Sequence, residues 1–186
     1  RDIMVQAWYQ GGLSIFDFTD SANPVEIAYF DRGPIDPVKL TTAGYWSTYW
    51  YNGFIYGAEI ARGVDIFKLE TSPYMSENEL AAATAVKWDI FNAQHQPKMR
   101  WDATPVVGRA YLDQLTRAKA VDAQTASSIR TALDRAEKAS SGDKASLASE
   151  LNALAAALDP AQVPEAGRRA ATGLAGTLKA LGASMR

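Results

Sequence analysis

The chain changes its hydrophobic rhythm once. Through its first seventy or so residues the apolar positions come in short runs, many of them alternating, and turn chemistry separates the runs. "IMVQAWY", from Ile3, reads as a strand, and Gln10-Gly11-Gly12 reads as a turn in which glycine permits a positive φ. "LSIFDFTD" alternates, with Leu13, Ile15 and Asp17 on one side and Ser14, Phe16 and Phe18 on the other. Apolar residues on both sides predict a strand covered on both faces. "SANP" is loop chemistry, since Pro24 disfavours helical geometry at Asn23, and "VEIAYF" is a third strand. After the proline-bearing loop "DRGPIDP" come "YWSTYWY", "NG" and "FIYGAEI". Asn52-Gly53 between two such runs predicts a hairpin closed by a type I′ turn. Ala61-Arg62-Gly63 turns the chain again into "VDIFKLE".

From Ser76 onward the period becomes helical. Ser76-Glu77-Asn78-Glu79 is a capping box, predicting a helix from there to Trp88 or slightly beyond. "NAQHQPKMRWDA" reads as irregular, because Pro97 opposes a helix. Thr104 caps a second helix with Pro105 at its first position and Val107, Ala110, Tyr111, Leu112 and Leu115 as its apolar side. Asp122 caps a third, with Ala126, Ile129, Leu133 and Ala136 at steps of three and four. Ser141-Gly142-Asp143 breaks and caps again. Leu147, Leu151, Leu154 and Leu158 then form a stripe that Pro160 and Pro164 end. A last helix runs from about Glu165 to Leu181 with Leu174, Leu178 and Leu181 inward, weakened by Gly167, Gly173 and Gly176. Such helices are marginal alone and predict an antiparallel bundle.

The predicted fold class is therefore α+β, with N-terminal antiparallel β blades followed by a C-terminal helical bundle. Residues 1–75 form the β part, residues 76–103 a helix and irregular connector, and residues 104–186 a bundle of three to four helices. The β part holds an internal echo. "IMVQAWYQGGLSIFDF" precedes "FIYGAEIARGVDIFKL" by fifty-one residues, and in that register Ala7 meets Ala58, Gly12 meets Gly63, Ile15 meets Ile66 and Phe16 meets Phe67. A period of this length is that of a four-stranded propeller blade; a plain antiparallel sheet is the alternative.

Composition narrows the chemistry. The formal net charge is −2, so no basic field recommends nucleic acid. The absence of cysteine excludes disulfides, thiol catalysis and thiolate metal sites. No apolar run approaches the roughly 20 residues of a membrane span. The chain opens at Arg1 rather than Met, which reads as a mature, cleaved or partial product. With His95 as its one histidine, a two-histidine zinc site cannot be built, and no nucleophile elbow accompanies it. His95 reads as a structural residue in a loop where Gln94 and Gln96 satisfy backbone groups. Asp17, Asp20, Asp31, Asp36, Glu59 and Asp65 could gather around calcium, but their spacing matches no EF-hand loop, and Asp17 and Asp20 read as turn and cap residues. Gly11-Gly12 serves a turn, not a phosphate. No catalytic residue, metal ligand or cofactor is expected. In the helical part Arg109, Arg117, Arg130, Arg135 and Lys138 read as a solvated face balanced by Asp113, Asp134 and Glu137, the sharper alternative being a dock for an acidic partner. Tyr45, Trp46, Tyr49, Trp50 and Tyr51 are the candidate interaction surface: they could stack sugars or bases, but alternation along a strand points to packing between blades.

"LSIFD" followed by "TDSANPVEIAYF" resembles the LVIVD-repeat proteins, a family of bacterial exported β-propellers. Leu13, Ile15 and Asp17 match the repeat motif, whereas Ser14 and Phe16 depart from it; Asp20, Asn23 and Pro24 match the following turn. Val25-Glu26-Ile27 matches the next strand. The second copy, Val64 to Lys68, keeps Ile66 but lacks the aspartate. "SENELAAATAVKWDIFNAQHQPKMRW" and "VVGRAYLDQL" are similar to the region after the last blade. The resemblance implies a periplasmic or extracellular setting and the last one to two blades of a larger propeller, and supplies no catalytic residues. Since a propeller needs several blades, the expected partner is the remainder of the propeller or another chain that completes the sheet. The expected function is a non-catalytic binding or scaffolding module working through protein–protein contacts. The alternatives are part of a propeller hydrolase or metal-dependent enzyme whose active site lies on other blades, and a peripheral subunit of a cell-envelope assembly.

Overall fold

The computed structural model describes residues 1–95, 97–139 and 143–185. These fall into two compact units: Arg1–Met75 with Ala83–Met99, and Ser76–Ala82 with Arg100–Arg186. The class is α+β.

The first unit holds two three-stranded antiparallel sheets, one of β1 (Ile3–Trp8), β2 (Gly12–Asp17) and β3 (Val25–Phe30), the other of β4 (Tyr45–Tyr51), β5 (Phe54–Glu59) and β6 (Gly63–Phe67). Both are simple meanders, because each connection within a sheet is a tight turn or a short loop. The β4–β5 turn is the type I′ pair expected of Asn52-Gly53, with φ of 48° and 96°. At the β1–β2 turn the positive φ values fall on Gln10 and Gly12, not on Gly11. Gly12 needs its bare Cα, since a Cβ there would lie 2.0 Å from the Phe30 carbonyl oxygen of β3.

Strand pairing sorts the side chains onto faces, because residues directly opposite one another share a face. In the second sheet Tyr45 pairs with Glu59, Trp50 with Ile55, Gly57 with Asp65 and Ile55 with Phe67, which makes one face. Tyr49 pairs with Tyr56, Tyr51 with Phe54, Tyr56 with Ile66 and Ala58 with Val64, which makes the other. In the first sheet Ala7, Leu13 and Phe30 share a face with Val5, Ile15 and Ala28. That face is turned to the first face of the second sheet. Phe30 and Phe67 meet at 4.8 Å between ring centroids, Arg32 pairs with Asp65, and Leu13, Ile15, Tyr45 and Ile55 are all buried. β2 is closed in on both faces from Gly12 to Ile15, as its two-sided apolar pattern predicts.

The second unit carries the first residues of α1 and, joined to one another by short connections, the later helices. α1 (Glu77–Ala85) opens on the predicted capping box: the Glu79 N–H donates to Ser76 Oγ and the Ser76 N–H to Glu79 Oε2. It stops at Ala85, short of the expected Trp88, because Trp88 is tied instead to the β4–β5 turn. The Trp88 N–H donates to Asn52 Oδ1 at 2.8 Å and Asn52 Nδ2 donates back to the Trp88 carbonyl at 3.0 Å. α2 (Pro105–Arg117), α3 (Ala123–Lys138), α4 (Lys144–Ala157) and α5 (Glu165–Ser184) follow, the first two capped by Thr104 and Asp122. Asp143 stands at the N-cap position of α4, while Ser141 and Gly142 lie outside the described residues.

The core of these helices gathers Leu112, Leu115, Ile129, Leu133, Leu147, Leu151, Leu174 and Leu178. Leu154 lies at its margin, and Ala155 takes the inward position instead, because the four-residue step from Leu151 leads there. The glycines of α5 are not uniform weak points. A Cβ on Gly167 would lie 2.5 Å from that of Ala120, so this glycine permits close packing, whereas Gly176 faces open space.

Candidate functional site

The outer face of the second sheet leaves large apolar side chains exposed. Val64 is 70% exposed and Ile66 62%, with Tyr49 and Phe54 beside them also exposed. The side chains that register assigns to this face, Ser47, Tyr49, Tyr51, Phe54, Tyr56, Ala58, Val64 and Ile66, are all uncharged. This contiguous uncharged aromatic and β-branched face is the candidate contact surface of the unit.

One end of that face is partly walled. Tyr51 donates its hydroxyl to the Trp88 carbonyl at 2.8 Å, and its ring stands 6.2 Å from both Tyr56 and Phe91. Phe91 leans on Trp88 at 5.8 Å. The segment after Trp88 thus returns along the sheet, and Tyr49, Tyr51, Tyr56, Phe91, Asn92 and Gln94 line an open cleft of about 730 Å³. Asn92 shapes its rim, accepting the Gln94 N–H on Oδ1 at 2.9 Å.

The five predicted surface aromatics do not stay together. Alternation sends Trp50 to the inner face, and the slip in pairing between Tyr45 and Ser47 sends Tyr45 there too, where it is 2% exposed and donates its hydroxyl to Asp65 Oδ2 at 2.6 Å. Burial and the Asp65 carboxylate hold this phenol well above its ordinary pKa. Tyr45 therefore belongs to the packing between the sheets, not to an interaction surface. The pairing slips between Tyr45 and Ser47, and Trp46 at that irregularity is exposed, edge-on to Tyr9 at 5.2 Å. Tyr49 and Tyr51 remain on the outer face. Tyr56, Phe91, Asn92 and Gln94 join them there, and none of the four is among the candidate site residues of the sequence. Tyr56 was within reach of the sequence, because a two-residue turn at Asn52-Gly53 places it opposite Tyr49. Phe91 was not, since the fold of an irregular connector leaves no periodic signal.

The six carboxylates weighed for calcium each serve local structure. Asp17 accepts the Thr19 N–H and pairs with Arg1; Asp20 accepts the Ala22 N–H and an Asn23 amide hydrogen; Asp31 accepts the Gly33 N–H. Asp36 caps Val38 and Lys39, Glu59 caps Ala61 and Arg62, and Asp65 holds Arg32 and Tyr45. For Asp17, burial alone would raise the pKa, but the bonds from Thr19 and the Arg1 charge outweigh it and hold it below the usual range. Among the described residues no three His, Cys, Asp or Glu side chains gather where a metal ion could be held. His95 is exposed in a 3-10 turn, Ala93–His95, and Gln96 lies outside the described residues. In the helical unit Arg109 bridges Asp134 and Glu137 at 2.7 Å each, Arg117 pairs with Glu79, and Arg135 with Glu150. Asp113 bonds Asn78 instead of a cation. Much of the positive face is thus neutralised internally. No described helix is long and apolar enough to cross a membrane.

No protein-family model, curated protein or solved structure matches the chain.

Proposed function

We propose that the chain is a protein-binding module built from two sheets of one repeat, stacked head to tail as propeller blades are, and that its outer sheet face is completed by another protein surface. A non-catalytic, scaffolding role in an extracytoplasmic setting goes with the resemblance to LVIVD-repeat propellers. One observation carries the reading. In the fifty-one-residue register, Leu13 and Ile15 correspond to Val64 and Ile66. The first pair is 1% and 4% exposed, and the second 70% and 62%. The same register maps Val5 and Ala7 onto Tyr56 and Ala58. The face that the first sheet buries against the second is therefore the face the second sheet offers outward. A head-to-tail stack leaves such a face open at one end, and burying Val64 and Ile66 there is worth about 1.5–3 kcal/mol each.

Site-specific photo-cross-linking in the producing cell tests this. A benzophenone side chain at Ile66 is expected to give a discrete cross-linked protein species, and one at the exposed helical position Ser127 to give none. Equal yields at the two positions would remove the outer face as a binding surface.

A further inference from the structure

β2 and β6 occupy one position in the repeat. Gly12 aligns with Gly63, Ile15 with Ile66 and Phe16 with Phe67. Their pairing differs. β2 is bonded on both edges, to β1 and β3, while β6 is bonded to β5 alone among the described residues. The complement holds on the other side, where β5 is flanked by β4 and β6 but β1 is paired along its length only to β2. Merging the two registers gives a four-stranded meander, in the order β4-type, β1 or β5, β2 or β6, β3-type. Each sheet holds three of the four, and the second sheet lacks the β3-type strand.

The chain cannot supply that strand locally. Fifty-one residues beyond Val25, which opens β3, stands Ser76, and from there the capping box commits the backbone to α1. A second observation points to an absent occupant. The space over Gly12 is filled by the Phe30 carbonyl of β3, 2.0 Å from where a Cβ would be, whereas a Cβ on Gly63 would meet nothing within 4 Å.

We infer that the free edge of β6 is a docking site for an extended strand from another polypeptide segment, running antiparallel and carrying the β3 pattern; this rests on the repeat reading above. The ladder of unpaired N–H and C=O groups supplies the affinity. Selectivity follows from the pairs of the first sheet, where Leu13 faces Phe30, Ser14 faces Tyr29 and Ile15 faces Ala28. The docked strand therefore places a large apolar residue opposite Val64, a tyrosine-like residue opposite Asp65 and a small one opposite Ile66. It carries no proline within the paired stretch, since proline would remove a ladder donor.

The probe is the chain's own β3 segment as a labelled peptide, Pro24–Arg32, titrated by fluorescence anisotropy into the full chain. Saturable binding is expected, with amide shifts on NMR confined to Gly63–Phe67 and their cross-strand partners in β5. A peptide with proline at the adjacent paired positions Ala28 and Tyr29 (Ala28→Pro, Tyr29→Pro) and a scrambled peptide are expected to bind at least tenfold more weakly. Gly63→Ala is the decisive variant: its Cβ enters the space of the incoming carbonyl, so affinity drops at least tenfold while the circular dichroism of the free chain stays as it was. Absent saturation, equal binding by the scrambled peptide, undiminished binding to Gly63→Ala, or shifts centred on Gly12–Asp17 would each overturn the inference. Cross-linking at Ile66 reads the sheet face, not its edge. Failure of the peptide with success of the cross-link sinks the docking edge alone, and the reverse sinks the face.

Discussion

Gly12 and Gly63 open the second strand of two separate hairpins in the same backbone state, with φ of 77° and 100°, yet only Gly12 has a strand lying across it. Both require glycine for their dihedrals. Gly12 requires it a second time for space. Alanine at either position meets the left-handed penalty of about 1–2 kcal/mol. At Gly12 the added methyl also runs into the Phe30 carbonyl, which adds overpacking of about 1–3 kcal/mol. Gly12→Ala is therefore expected to destabilise the β unit by about 2–5 kcal/mol and Gly63→Ala by about 1–2 kcal/mol. Denaturant titration followed by tryptophan fluorescence checks this, since Trp8, Trp46, Trp50 and Trp88 all belong to that unit. Equal losses would mean that the two hairpins are not the same element in different surroundings.

A parallel contrast exists in α5. Gly167 lies against Ala120, whose methyl has no rotamer by which to yield, and Gly176 points at open space. Gly176→Ala is expected to stabilise the helical unit by up to about 1 kcal/mol through helix propensity alone. Gly167→Ala gains the same propensity but forces α5 and the Ala120 turn apart, for a net loss of about 1–2 kcal/mol. Thermal unfolding by far-UV circular dichroism separates the two signs.

These glycines show where sequence patterns stop being informative. The Asn52-Gly53 turn, the Ser76–Glu79 capping box, the caps at Thr104 and Asp122 and most of the leucine stripes were legible because the interactions that fix them are local. A cap is decided within four residues and a stripe within two turns. Gly167 looks like a helix weakener until Ala120, far off in the chain, is placed beside it. The end of α1 was misplaced for the same reason, since the groups that draw Trp88 away belong to a hairpin turn thirty-six residues earlier. The candidate site was half legible. Alternation along β4 could separate Tyr49 and Tyr51 from Trp50, but the slip in pairing between Tyr45 and Ser47 and the return of Phe91 along the sheet are tertiary events.

Glu59 links the turn before β6 to acid stability. Its side chain is buried, and burial alone would raise its pKa; hydrogen bonds from the Ala61 and Arg62 N–H groups and the Arg62 charge overcome this and hold it below its ordinary 4.5. A carboxyl with a depressed native pKa stabilises the fold fully above the unfolded value and loses that contribution as pH falls through the native one. Wild type is therefore expected to melt above Glu59→Gln at pH 7, and the gap to shrink progressively once the pH drops below about 4.5. A gap that is constant across this range would show that the charge of Glu59 adds nothing beyond its shape.

Asn52 carries two duties that mutation can separate. Its φ of 48° belongs to the type I′ turn, and its carboxamide closes a two-way bond with the Trp88 peptide while its carbonyl accepts Lys87 Nζ at 3.2 Å. Glycine satisfies the first duty without strain and abandons the second. Asn52→Gly is therefore expected to keep the β4–β5 hairpin while freeing the segment that carries Phe91 against Tyr51. At about 0.5–1.5 kcal/mol net for each lost bond, the cost is about 1–3 kcal/mol. Asn52→Asp retains the acceptor for the Trp88 N–H but has no donor for its carbonyl, so it falls between. Hydrogen exchange checks this at single residues: the Trp88 amide should lose protection in Asn52→Gly and keep most of it in Asn52→Asp, with the amides of Ile55 and Gly57 unchanged in both. Loss of protection throughout β5 in the glycine variant would mean that the tether holds the hairpin itself, and that the outer aromatic face depends on the connector for its shape.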